Sequence, residues 1–520
     1  MRYVPGVRIL VTGGTGVIGS QTVAALLRHG HDVRLYSRHA SEHAKAWPSE
    51  RVTACDGGLS EAVRLRSSLR ECQAVIHLAG IVSERGADQN FQTVNVEGTR
   101  RVTEAADEAG VPRFVYVSSL GAERGRSKYH ESKRKAERHV SSFAGQWVVL
   151  RPGNVYGPRD EVISLLLKMM RVLPIVPVID GGDHEFQPIW VEDLAEALAL
   201  SVSRDDVVGR YLELAGPERT SMNDLIDRFR EITGRSPARV PLPGFLSLLG
   251  ARAAGLLGLH IPLDAGQIQM LEEGNVIANP EDNAMSSVFS IQLTSLDTGL
   301  RRLADALAEQ TPDQGVGSLV RRHVWADIDG SRLSCDQLFQ RFCARFKELT
   351  PWHVQVGSEP DTPNEVRLGA TLTMHLPLRG NVQVRVVELD PSSVTLATIE
   401  GHPLCGLVRF RLEDLGANRL RFHVEVHDRP WNIADWLVMS TVGGMVQVAT
   451  WRSTVEHLVE ESGGRAVDGV HDQSETLHGL EARRVEQWAA GLIEARRRAL
   501  HTAGISEASV VPPREGAGAA

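Results

Sequence analysis

The sequence predicts an α/β fold, a doubly wound parallel sheet, followed by an α+β unit built on an antiparallel sheet. Two observations carry this. Over roughly the first 150 residues, short β-branched runs alternate with amphipathic helical segments, as parallel strands joined by crossover helices require. Past about Arg321 the apolar period falls to two, which marks antiparallel strands with one buried face.

Val7–Val11 (VRILV) is the first strand, and it ends in Thr12-Gly13-Gly14-Thr15-Gly16-Val17-Ile18-Gly19. An amphipathic helix follows, with Val23, Leu26 and Leu27 on one face, and Asp32–Tyr36 is the second strand. Ala74–Leu78, Arg113–Val117 and Trp147–Leu150 are the third, fourth and fifth strands, separated by helices that include Val94–Ala109 and Ser132–Phe143. From Pro158 to about Leu307 the alternation loosens. Helices Val191–Ser201 and Ser221–Thr233 mix with the strand Tyr211–Leu214, a substrate-side portion of the same unit over 158–310. The Pro/Gly-rich run Gln310–Gly317 reads as a linker.

Beyond it, Val382, Val384 and Val386, then Val408, Phe410 and Leu412, then Leu420, Phe422, Val424 and Val426 alternate with polar residues. A helix is expected over Trp431–Leu458 and a polar, Arg-rich one over Ser474–Ala503. The expected organisation is a first domain over 1–310, a linker over 311–320, an antiparallel domain over 321–465, a polar C-terminal helix over 466–503 and a disordered tail over 504–520. Arg496-Arg497-Arg498 reads as a solvated face, with contact to a membrane surface or a partner as the lesser reading.

Composition narrows the function. Lys plus Arg is 57 and Asp plus Glu is 65, so the net charge is 57 − 65 = −8, which gives no bulk case for nucleic-acid binding. The cysteines Cys55, Cys72, Cys335, Cys343 and Cys405 form no CxxC pair and read as reduced thiols of a cytoplasmic protein. No signal peptide is expected. The most apolar stretch, Val240–Leu263, is interrupted by Arg252 and several glycines; it reads as a packed or interfacial helix and not as a membrane span.

Gly13, Gly16 and Gly19 stand between a strand and a helix inside a βαβ unit, where glycines allow a tight turn, close approach to a pyrophosphate and close helix–strand packing. Gly13, Thr15, Gly16, Val17, Ile18 and Gly19 are therefore the expected phosphate-binding set, with the helix N-terminus facing the anion. The second strand ends in Ser37, Arg38 and His39 and not in an acid. The planar fork of Arg38 suits a 2′-phosphate, so NADP(H) is the preferred cofactor and NAD(H) the alternative.

Tyr129 and Lys133 are four residues apart, which places them on one helix face. A nearby ammonium favours the phenolate and suits the tyrosine to proton transfer with a carbonyl/alcohol pair.

With these residues in place the chain resembles the extended short-chain dehydrogenase/reductase family. The matching elements are TGGTGVIG, Asp56 in ACDGG, His77-Leu78-Ala79-Gly80, Asn95 in VNVEGT, Ser118-Ser119, Tyr129-x-x-x-Lys133 and the run Arg151–Pro158. The resemblance covers about the first 310 residues. It implies a Rossmann-type fold, Asp56 against adenine, Ala79 and Gly80 along the cofactor channel, Asn95 supporting the site, and Lys133 on the nicotinamide ribose. It also implies a third catalytic hydroxyl, which falls on Ser119 or is replaced by Leu120. The sequence SSLGA and the short loop from Ser119 to Tyr129 look like the atypical branch near the NAD(P)H-binding accessory subunit of respiratory complex I.

Thr398–Leu458, with Gly401-His402-Pro403-Leu404-Cys405-Gly406 and its strand order, is similar to START-like helix-grip (SRPBCC-type) domains. That resemblance implies a curved sheet around a long helix and an apolar cavity. Six tryptophans (Trp325, Trp352, Trp431, Trp436, Trp451 and Trp488) suit either cavity walls or core packing. The spacings of His353, His375, His402, His423 and His427 match no metal motif, and His402 reads as a turn histidine. The expected function is an NADP(H)-dependent oxidoreductase acting on an apolar small molecule. The alternatives are a non-catalytic cofactor-binding sensor or assembly protein and a nucleotide-sugar epimerase/dehydratase.

Overall fold

Strands buried on both faces build the first half of the protein. The computed structural model describes residues 6–47, 50–84, 86, 89–160, 162–242, 275–351, 354–360, 362–376, 380–439 and 443–502. β1 (Arg8–Thr12), β2 (Asp32–Ser37), β3 (Val52–Asp56), β4 (Ala74–His77), β5 (Arg113–Val117), β6 (Gln146–Pro152) and β7 (Arg210–Leu214) form one parallel sheet in the order β7-β6-β5-β4-β1-β2-β3. The expected doubly wound class is the observed one. Ile9, Leu10, Val75, Ile76, Phe114, Val115, Val148 and Val149 are fully buried, which is why these strands read as continuous apolar runs. β3 is absent from the sequence reading. It is a five-residue edge strand in which only Val52 is buried.

Chain direction across the sheet reverses between β1 and β4, the switch point where ligands settle in such sheets. Thr12 lies level with Tyr36 on one side and His77 on the other, so the loops after β1, β2 and β4 open together. α1 (Val17–Arg28), α2 (Gly98–Glu108) and α3 (Lys128–Ser141) cover the sheet, and a π-helical turn, Gln92–Glu97, leads into α2. The substrate-side portion adds α4 (Ile163–Val172), α5 (Val191–Leu200), α6 (Met222–Thr233) and α7 (Leu296–Asp305), packed through Leu167, Trp190, Phe229 and Leu300. Most of the run Val240–Leu263, from 243 on, lies outside the described residues, as does the tail over 504–520.

The second half is an eight-stranded antiparallel sheet. Its strands are β8 (Leu319–Asp329), β9 (Gln355–Val356), β10 (Thr371–Leu376), β11 (Gly380–Asp390), β12 (Ser393–Thr398), β13 (Leu404–Gly416), β14 (Arg419–Pro430) and β15 (Arg465–Leu477). Their order is β9-β10-β11-β12-β13-β14-β8-β15. α8 (Cys335–Ala344) and α9 (Gly444–Ser462) lie on one face, and α10 (Gly479–Thr502) packs Trp488 against Val387 and Leu407 on the other.

Several expectations are corrected here. Residues 466–477 belong to a strand and not to the polar helix, because β15 pairs with the whole of β8. The helix expected over Trp431–Leu458 starts at Ile433, with Asn432 as its cap, and α9 carries it on to Ser462; residues 440–442 between lie outside the described residues. The expected linker is tied to the second sheet: Gln310 N–H donates to Thr398 O (2.7 Å) and Val316 N–H to Pro430 O (2.8 Å). Arg496 is not a solvated cation, since it pairs with buried Glu309 at 2.6 Å. Under the sheet, Phe342, Phe346, Phe410 and Phe422 pack ring on ring, with Phe342 5.1 Å from Phe410 and 5.3 Å from Phe422. Trp451 joins this core, Trp325 stacks on histidines, Trp431 and Trp436 are exposed, and Trp352 and His353 lie outside the described residues.

Buried ion pairs join the halves. Arg171 of α4 holds Glu359 through two bonds of 2.8 Å and Gln383 of β11 at 2.8 Å. Arg385 of β11 and Arg496 of α10 share one oxygen of Glu309, at 2.7 and 2.6 Å.

Candidate active site

Sterics at the turn after β1 explain its glycines. Gly13 has φ +70°, and a Cβ there would stand 2.6 Å from Ala79 N. A Cβ on Gly19 would collide with the carbonyl of Gly13. Gly16 is exposed and is the N-cap of α1, and no side chain caps this helix. Thr15, Val17 and Ile18 flank it with their surfaces partly open. The bare helix N-terminus, free of acidic residues in its first turn, fits an anionic pyrophosphate. Arg159, which sequence reasoning missed, donates to Ser20 Oγ (3.0 Å) and so reaches the first turns of α1.

The rim of β2 and β3 is polar. Arg38 is exposed and has no ion-pair or hydrogen-bond partner among the described residues. Asp56 is occupied by Ser41, whose N–H (2.8 Å) and hydroxyl (2.6 Å) both donate to its carboxylate, and these bonds hold its pKa below the usual range.

The loop after β4 meets α3. Asn95 is held inward by the π-helical turn. Its Oδ1 accepts from Ile81 N–H (2.8 Å), and its Nδ2 donates to Ile81 O and Ser132 Oγ (both 3.0 Å). Ala79 closes against the glycine turn. A Cβ at Gly80 would stand 3.2 Å from Asn95 Oδ1 and 3.4 Å from Lys133 Nζ, so the bare backbone leaves this pair uncovered. Beneath them His77 bonds Thr12 (2.6 Å) and Thr99 (3.0 Å). Burial first, then Lys133, push its pKa down to about 3, so it stays neutral as a structural strut.

Tyr129 and Lys133 lie on one face of α3, whose first turn is capped by Ser127 accepting from His130 N–H (3.2 Å). Lys133 is buried, donates to Val117 O (2.9 Å), and sits 6.0 Å from the Tyr129 ring centre. Burial lowers its pKa to about 8, against an opposing pull from Glu137. The Tyr129 hydroxyl has the Ser119 hydroxyl beside it. Burial raises the tyrosine's pKa to about 12, and Ser119 lowers it in part. Arg151 of β6 locks α3 in place through Glu137 (2.9 and 2.8 Å). Leu120 is buried in an apolar cluster with Ala215 and Ile277. Ser118 Oγ and Asn154 Oδ1 are buried at the same end of the sheet without partners. The structure thus gathers Ser119, Tyr129, Lys133, Gly80 and Asn95 at the switch point, beside the glycine turn.

A parallel sheet of this order with a glycine turn at its switch point defines a dinucleotide-binding Rossmann protein. Residues 9–214 match the profile of the NAD dependent epimerase/dehydratase family. The chain is 31% identical over 244 residues to the ceramide reductase of Caulobacter vibrioides, an alignment covering 46% of this chain and 75% of that protein. It is 27% identical over 248 residues to the mouse (Mus musculus) NADH dehydrogenase [ubiquinone] 1 alpha subcomplex subunit 9, mitochondrial, covering 47% and 66%. The UDP-glucose 4-epimerase of Thermus thermophilus, solved with NAD, is 23% identical with a TM-score of 0.45, covering 57% of this chain and 98% of that one. The chain belongs to the NAD dependent epimerase/dehydratase family. Among the described residues no helix is long and apolar enough to cross a membrane.

Proposed function

We propose that the protein is an NADP(H)-preferring oxidoreductase acting on a carbonyl/alcohol pair of an apolar small molecule, with Tyr129 as the proton-transferring residue. The observation that carries this reading is buried Lys133 one helical turn from Tyr129, 6.0 Å from its ring centre, with Ser119 beside the tyrosine. The dinucleotide, when bound, supplies or accepts the hydride. Gly13, Thr15, Gly16, Val17, Ile18 and Gly19 hold its pyrophosphate, and Ala79, Gly80, Asn95 and Lys133 border its nicotinamide end. Asp56 takes the adenine side, and Arg38, a cation with no partner of its own among the described residues, takes the 2′-phosphate.

Tyr129, held protonated at neutral pH, is placed to give its proton to a carbonyl oxygen when a substrate is reduced, and it takes the proton back in the reverse reaction. Ser119 orients that oxygen. The similarity to a ceramide reductase supports an apolar substrate. The second half serves as a START-like unit that binds or presents this molecule. Its support is the antiparallel sheet folded about α9 and the exposed apolar side chains Ile433, Leu437, Met445 and Val446 beside it.

The test is NADPH consumption with a panel of apolar aldehydes and ketones, for the wild type and Tyr129→Phe. Loss of general-acid catalysis lowers kcat by about 10²–10⁴ while NADPH affinity stays within about twofold. Equal turnover by Tyr129→Phe refutes the assignment. A second reading, cofactor binding without turnover, is favoured by Leu120 standing next to Ser119 where a catalytic hydroxyl is otherwise expected. It requires NADPH to raise the melting temperature while no member of the panel is reduced.

A further inference from the structure

The outward face of the antiparallel sheet carries a second cluster, far from the glycine turn in sequence. Val324 of β8 and Val424 of β14 point into the core. By strand alternation His323, His423 and Glu425 stand on the opposite face. The register sets His323 opposite Glu425 and Trp325 opposite His423. His323 Nε2 lies 2.9 Å from His423 Nδ1, and the ligand atoms of all three residues lie within 4.8 Å of one another. Glu425 forms no hydrogen bond or ion pair with any described residue. The His323 ring stacks on Trp325, centres 4.5 Å apart, and His471 stacks on the same indole at 5.4 Å. His423 Nε2 lies 3.2 Å from a Glu413 oxygen and 3.2 Å from Arg411.

The geometry points to a divalent transition-metal site of the zinc class, with His323 Nε2, His423 Nδ1 and the Glu425 carboxylate as ligands. Two imidazoles and a carboxylate are a ligand set that zinc accepts, and the partly open face leaves a fourth position for water. Glu413 supplies the outer support: it accepts the His423 Nε2–H, which leaves Nδ1 as the lone-pair nitrogen facing the site. Without metal, that lone pair accepts the proton on His323 Nε2. On binding, His323 moves this proton to its own Nδ1 and Nε2 becomes a ligand, so two neutral imidazoles coordinate with no net proton release. Arg321 and Arg411 are nearby cations that oppose a metal; Glu475 pairs with the first, and Glu413 offsets the second at 3.5 Å. The two rings meet head-on, centres 5.2 Å apart and 8° from coplanar; a tetrahedral cation with Zn–N bonds of about 2.0–2.1 Å needs its nitrogens about 3.3 Å apart, so the pair opens by a few tenths of an ångström and each ring turns by roughly 35° to aim its lone pair at the ion.

No sequence motif announces this site, because its histidines are 100 residues apart and meet only through the pairing of β8 with β14. The test uses the full chain, untagged and stripped with a chelator, titrated with Zn²⁺ by calorimetry and with Co²⁺ by visible absorption. One equivalent binds with a Kd of about 10 µM or tighter, and Zn²⁺ raises the melting temperature. His323→Ala and His423→Ala each weaken binding at least about thirtyfold, and Glu413→Gln weakens it about 10–100-fold. If either histidine variant loses its far-UV dichroism, Glu425→Gln, at a partly exposed position, gives the same reading with a smaller loss. The proposal is overturned by the absence of saturable one-to-one binding. It is equally overturned by unchanged stoichiometry and affinity in well-folded His323→Ala, His423→Ala or Glu425→Gln.

Discussion

Burial makes Lys133 titrate within reach of neutral pH. Its pKa of about 8 lies below that of a free lysine, so the ammonium is essentially complete below about pH 7 and disappears above about 8. If that charge supports proton transfer from Tyr129, the rate of reduction at saturating cofactor is level near pH 6–7 and falls from about pH 8 upward. A pH–rate profile level to about pH 10 removes Lys133 from the mechanism. Arg38 answers to binding. Arg38→Ala weakens NADPH by about 10–100-fold and NADH by less than about twofold, measured by fluorescence titration; equal losses refute the 2′-phosphate contact. The Tyr129–Lys133 pair is legible in the sequence because an i,i+4 spacing fixes a shared helix face whatever the fold. The Leu120–Ala215–Ile277 cluster is not, since three residues from separate segments meet only in the tertiary structure.

At the scale of elements, legibility follows burial. β1, β4, β5 and β6 show in the sequence as short apolar runs because both faces are covered. β15 is invisible for the opposite reason: of RAVDGVHDQSETL only Leu477 is buried, so no apolar period marks it. Its role is to cap β8, whose free backbone would otherwise template association. A chain ending at residue 464 therefore aggregates at concentrations where one ending at 502 stays monodisperse by light scattering; a soluble monomer from the shorter chain contradicts this. The aromatic core is equally specific. Phe342 is fully buried against Phe346, Phe410 and Phe422, and Phe342→Ala costs about 3–5 kcal/mol by denaturant titration.

Across the whole molecule, the halves are held by charges taken out of water. Arg171→Ala strands Glu359, which is almost fully buried, and breaking such a pair costs about 3–5 kcal/mol. Arg171→Met combined with Glu359→Leu recovers most of that loss, and scanning calorimetry of the single and double variants separates the two outcomes. Asp305, at the end of α7, is raised to about 6 by burial, and Arg171 and Arg385 pull the other way. A carboxyl raised in the fold contributes stability below its unfolded pKa and loses it as pH rises through about 6. Asp305→Asn removes that loss, so it melts higher than wild type at about pH 7.5 and equally at about pH 4. An identical shift at both pH values places the cause elsewhere.

Glu309 has a consequence for how the protein is made. It stands between Arg385 and Arg496, and the second of these arginines is translated 187 positions after it. Synthesis runs from the N-terminus, so the Rossmann sheet can fold and take up its dinucleotide while the antiparallel sheet is still incomplete. The seam between the halves closes last, when α10 emerges and carries Arg496 back to the boundary. Until then Glu309 keeps water on one side, and the nascent chain passes through a stage in which its first half is finished and its second is fastened to it only through the pairs of Arg171 and Arg385.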